Sequence, residues 1–66
     1  MTEWELWACA NQLVKQHGRG AIGKAGERIL DLAAERDQEG HATWLAILDR
    51  INKLLKDTPD AGERVQ

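Results

Sequence analysis

Residues 2–18 read Thr2-Glu3-Trp4-Glu5-Leu6-Trp7-Ala8-Cys9-Ala10-Asn11-Gln12-Leu13-Val14-Lys15-Gln16-His17-Gly18, and the rest of the chain follows from this stretch. Leu6, Ala10, Leu13, Val14 and His17 recur at the spacing of one helical face, with Trp7 at its edge. Thr2 and Glu5 stand three apart, the spacing of a capping box in which each side chain bonds the other's backbone amide. Glu3 and Glu5 lie near the positive end of the helix dipole and Lys15 near the negative end. Gly18 supplies the stop, because a left-handed C-terminal residue costs glycine nothing.

Outward from this helix the same periodicity predicts two more. The second begins around Gly20 or Ala21 and runs to about Arg36, with Ile22, Ala25, Ile29, Leu32 and Ala33 as its buried stripe and Glu27, Asp31 and Glu35 on the far side. Gly23 and Gly26 each weaken it by about 1 kcal/mol relative to alanine. They join Leu30 and Ala34 in a mostly small face to which a neighbouring helix can approach closely. Asp37-Gln38-Glu39-Gly40 reads as a polar connector. The third helix is expected from about His41 to Lys56, with Trp44, Ile47, Leu48, Ile51, Leu54 and Leu55 inward and Trp44 as the main core residue. Asp49, Lys53 and Lys56 face water, Asp49 and Lys53 in the favourable i,i+4 order. No segment alternates as a strand does. The expectation is an all-α, compact three-helix bundle over residues 1–56 followed by a disordered tail over 57–66, where Pro59 and Gly62 accompany a single sizeable apolar residue, Val65.

Size and charge narrow the function. Sixty-six residues make one domain. A single cysteine excludes an internal disulfide. The longest apolar runs, Leu6–Ala10 and Trp44–Leu48, are far shorter than the roughly 20 residues of a membrane span. The start, Met1-Thr2-Glu3-Trp4-Glu5, is acidic where a secretory signal is basic and then apolar, so a cytoplasmic location is expected. A net charge of −2 excludes a general polyanion binder and leaves local patches open.

Two nucleotide-binding patterns overlap at Gly18-Arg19-Gly20-Ala21-Ile22-Gly23-Lys24-Ala25, and neither survives its physical requirements. The G-x-G-x-x-G spacing serves a dinucleotide only where a β-strand leads into a helix. A phosphate-binding P-loop needs a hydroxyl where Ala25 stands. What remains is a glycine-rich turn surrounded by Lys15, Arg19, Lys24 and Arg28, a candidate anion-binding corner. Cys9, His17 and His41 lack the close pairing that zinc requires. Asp37, Glu39 and His41 offer too few oxygens for calcium. Cys9 reads as a small packing residue and His17 as a residue near helix-end carbonyls. No catalytic residue, metal or cofactor is expected.

The aromatic usage stands out: three tryptophans with no phenylalanine or tyrosine. Trp4 falls well away from the Leu6–Ala10–Leu13–Val14 face, Trp7 and Leu45 lie at stripe edges, and Leu30 lies off the main face of its helix. Trp4, Trp7, Leu30 and Leu45 are therefore the candidate protein-interaction residues, with Trp4 the expected anchor.

The spacing Glu5-Leu6-Trp7-Ala8, Gly18, Glu27-Arg28-Ile29 and Leu32-Ala33, continued by Asp37-x-x-Gly40-x-x-x-Trp44-x-x-Ile47-x-x-x-Ile51, resembles a family of short all-helical proteins of alphaproteobacteria without an assigned activity. The resemblance covers most of residues 4–55. It implies a bacterial, cytoplasmic helical domain and carries over no functional residue.

The sequence reading is thus a small non-enzymatic module that binds protein, itself included as a homodimer. The alternatives are a nucleic-acid-associated regulator using the basic corner, and an inhibitor or accessory factor encoded by a mobile element. No membrane partner and no small-molecule substrate are expected.

Overall fold

The computed structural model describes residues 2–57. They form α1 (Glu3–His17), α2 (Gly20–Ala34) and α3 (Gln38–Asp57), the all-α three-helix architecture that the periodicity predicts. Of the tail expected over residues 57–66, Asp57 belongs to α3 instead, and residues 58–66 lie outside the described residues. None of the described helices is long and apolar enough to cross a membrane.

α1 starts as its sequence requires. The Thr2 amide donates to Glu5 Oε1 at 2.8 Å, and the Glu5 amide donates to Thr2 Oγ1 at 3.2 Å, completing the capping box. At its other end the Gly18 amide donates to the Val14 carbonyl at 2.7 Å. Gly18 then takes φ 58° and ψ −131°, a conformation that a side chain would strain. The chain turns there and enters α2.

The second turn differs from expectation. α3 begins at Gln38, not near His41, because Asp37 is a cap and not the start of a connector: its Oδ1 accepts from the Gly40 amide at 2.9 Å. α2 closes immediately before it. The Arg36 amide donates to the Ala33 carbonyl at 3.1 Å and the Asp37 amide to the Leu32 carbonyl at 2.9 Å, the paired bonds of a Schellman ending. Arg36 occupies its left-handed position at φ 61°, where glycine is the usual residue. Gly40 sits inside the first turn of α3 for a steric reason. A Cβ there would lie 2.7 Å from Asp37 Oδ2 and 3.0 Å from Leu32 Cδ2.

α3 is the central helix. α1 and α2 both pack along it and meet each other less extensively. The centre is built from Ala10 of α1, Ala21 and Ala25 of α2, and Ile47, Ile51 and Leu55 of α3. Leu6, Cys9, Leu13, Val14, Trp44, Leu48 and Leu54 close around it, half-buried.

Three sequence expectations change here. Trp44 is half-buried and packs against the core from its side; Ile47 and Ile51 hold the centre. The buried face of α2 is turned toward Ala21, so Ala21, Ala25 and Leu32 are interior, Ile29 is half-buried, and Ile22 and Ala33 are exposed. Small residues allow close helix approach, and the interior follows the alanines rather than the bulkiest side chains. Gly23 and Gly26 are not sites of close approach within the fold, since a Cβ at either would meet nothing within 4 Å.

Ile51→Ala, which empties a fully buried position, is expected to cost about 2–5 kcal/mol, more than truncation of the half-buried Trp44. Thermal melts of the two variants give the order directly. Arg36→Gly is expected to raise stability by about 0.5–1 kcal/mol, because it relieves a left-handed side-chain residue at the Schellman position; a melting temperature at or below wild type would contradict this.

Candidate interaction surface

The sequence-nominated residues divide sharply by environment. Trp4 is 76% exposed and Leu30 71%, far above what packing residues retain. Leu45 is 45% exposed. Ile22, which the periodicity places inside α2, joins them at 40%. Trp4, Leu30 and Leu45 belong to three different helices, each on the side away from the shared interior.

Trp7 is different. It is half-buried, and the Arg50 guanidinium lies 5.7 Å from its ring centroid, within cation–π range. The same guanidinium reaches the first turn of α1. Its Nη2 donates to both carboxylate oxygens of Glu3 at 2.6 Å, and its Nε donates to Glu3 Oε2 at 3.1 Å. Nη1 turns the other way, to Asp49 Oδ2 at 3.1 Å and the Ala46 carbonyl at 3.4 Å. Asp49 in turn pairs with Lys53 at 3.2 Å, the i,i+4 pair expected from the sequence. Glu3, Trp7 and Arg50 therefore tie α1 to α3 across the rim of the core. Sequence reading missed this tie, because 47 positions separate its two charged ends.

The electrostatics follow the geometry. The hydrogen bonds from Arg50 hold the Glu3 carboxyl below its usual value of 4.5, and Trp7 acts in the same direction. The Thr2 amide does likewise for Glu5 in the capping box. The Arg50 guanidinium is shifted upward, first of all by its bonds to Glu3.

Lys15, Arg19, Lys24 and Arg28 are all exposed. Arg19 borders a shallow cleft of about 420 Å³ with Ile22, Asn52, Leu55 and Lys56. Lys15, Lys24 and Arg28 do not line it, while Lys56, from the far end of the chain, does. A second open cleft of about 450 Å³ lies over the α2–α3 turn, between Leu32, Ala33, Arg36, Asp37, Gln38 and His41. The capping bond to Gly40 already engages Asp37 there. No group of three or more metal-ligating side chains occurs among the described residues, and Cys9 is half-buried against the core.

Both shifted carboxylates bind fewer protons in the folded protein than in the unfolded chain around pH 4. Their contribution is present above the unfolded value near 4.5 and is lost as pH falls through the lowered folded values. Melting temperature is therefore expected to fall with acidification below about pH 4.5, and Glu3→Gln to flatten part of that fall. An unchanged acid slope in this variant would show that the Glu3–Arg50 tie carries no stability.

Compared with known protein families, with curated proteins and with solved structures, the chain matches none of them.

Proposed function

We propose that this protein is a small, non-enzymatic protein-interaction module that pairs with itself. The observation that carries the reading is the exposure of Trp4 and Leu30, at 76% and 71%, in a domain whose interior rests on three alanines, two isoleucines and two leucines. A chain with so few large interior residues gains by using every one it has. A tryptophan and a leucine left largely in water add nothing to the stability of the fold unless another surface covers them. Burying a pair of such side chains contributes about 3–6 kcal/mol, comparable with the whole stability of a small domain. Tryptophan is also among the residue types that anchor interfaces most often.

A nucleic-acid-associated role has less support. Glu27, Asp31 and Glu35 place acid on the exposed side of α2, the helix that also carries Lys24 and Arg28. A bacterial, cytoplasmic setting and a place among short helical proteins of alphaproteobacteria belong to the same proposal, supported by the residue spacing between Glu5 and Ile51.

Sedimentation equilibrium tests the reading with Trp4→Ala, Leu30→Ala and Leu45→Ala. Truncating an anchoring residue should leave helicity by circular dichroism nearly intact and weaken association by about 2 kcal/mol or more. If each truncation instead lowers the melting temperature and leaves the mass unchanged, these side chains serve only the fold, and the interaction reading is overturned.

A further inference from the structure

The outer face of α2 combines features that α1 and α3 do not share. Leu30 projects from it, 71% exposed. One turn and two turns before it stand Gly26, half-buried, and Gly23, exposed; a Cβ at either position would meet nothing within 4 Å. Ala34, one turn after Leu30, is also exposed. The face thus carries a single large apolar knob beside the hollow left by two missing side chains, on the side of α2 turned away from its buried Ala21, Ala25 and Leu32.

We propose that this face is the self-association surface, with α2 of one copy packed antiparallel on α2 of a second. The inference rests on the reading of the protein as a self-pairing module and names the contact. A knob and a hollow offset along one helix cannot fill each other within a copy. A two-fold axis perpendicular to α2 solves this by placing Leu30 over the partner's Gly26 and the reverse. The charges select the same register. With Leu30 opposite the partner's Gly26, Lys24 comes alongside the partner's Asp31, and Asp31 alongside the partner's Lys24. Residues on one flank of a helix meet the same flank of an antiparallel neighbour, and Lys24 and Asp31 share a flank at a spacing of seven. A parallel pairing would set that charged flank against Ile22 and Ala33. Glu27 is the unfavourable neighbour: the two copies bring it close to the axis, so it limits the strength of the contact. A single helix face is also smaller than the roughly 800 Å² per partner of a standard interface. The dimer is accordingly weak and concentration-dependent.

The contact is tested by sedimentation equilibrium over a wide concentration range, with circular dichroism as a check on folding. The mass of the wild-type chain should rise above 7.4 kDa with concentration. Leu30→Glu should hold it at the monomer mass with helicity unchanged. Gly23→Ala should raise the melting temperature, since alanine is the better helix former, and yet weaken association by partly filling the hollow. Glu27→Gln should strengthen it. The decisive pair is Lys24→Asp and Asp31→Lys. Either alone should weaken association by about tenfold, whereas an equimolar mixture should form a heterodimer, because only the mixed pair restores both cross-axis contacts. If Leu30→Glu abolishes the dimer but the mixture associates no better than its components, the antiparallel register is overturned. If the dimer survives Leu30→Glu and is lost with Trp4→Ala, this face is overturned while the self-pairing reading stands. A wild-type chain that stays at 7.4 kDa at every concentration overturns both.

Discussion

Three alanines meet two isoleucines and a leucine at the centre of this protein, and the mismatch in size between the two sets governs what is built around them. Ala10, Ala21 and Ala25 lose all contact with water, as does Ile51, with Ile47 nearly so. Alanine contributes little apolar area of its own, so its value is geometric: it lets α1 and α2 lie close against α3, and the branched side chains of α3 then fill the space between them. A larger residue at any of the three positions would hold a helix off, and the half-buried ring of Leu6, Leu13, Val14, Leu48 and Leu54 would open. The longest helix is the central one for the same reason. It alone carries enough large side chains on adjoining faces to serve two neighbours.

The ends of the helices depend on local chemistry that this centre does not supply. Thr2 and Glu5 satisfy the first amides of α1, and Asp37 does so for α3. α2 begins without a side-chain cap and ends on an arginine in a left-handed conformation. Its start is thus the least well served of the three helix starts, and it also contains Gly23 and Gly26. Its place in the fold comes from packing on α3, through Ala21, Ala25 and Leu32, more than from its own propensity. Arg50 performs a parallel service for α1. By binding Glu3 at the start of that helix and lying over Trp7, it seals the rim of a core too small to close itself.

These two facts bear on function together. A helix with weak intrinsic propensity is held by one face, and its opposite face carries an exposed leucine beside two glycines that leave room for a Cβ. Where a protein needed only to fold, alanine at Gly23 and Gly26 and a polar residue at Leu30 would stabilise α2 and hide nothing. The residues present give up helix propensity, which is the ground on which this face is proposed as a contact surface.

The three helices are legible in the amino-acid order because capping chemistry and apolar periodicity are local: Thr2 with Glu5, Gly18 with its left-handed turn, and the Ile47–Ile51–Leu55 line are all readable within a few residues. The order also marked Trp4, Leu30 and Leu45 as outliers from their stripes, and they are exposed in the fold. Packing between the helices settles the remainder. The rotation of α2 that buries Ala21 and exposes Ile22, and the displacement of Trp44 from the centre, depend on how closely two helices can approach a third. Periodicity counts apolar residues and does not register that alanines permit the closest approach. Asp37 was legible as polar but not as a cap, since its role depends on the Schellman ending of α2 just before it. The Glu3–Arg50 tie was illegible for a simpler reason: its partners are 47 positions apart, and only the packing of α1 on α3 brings their charges together.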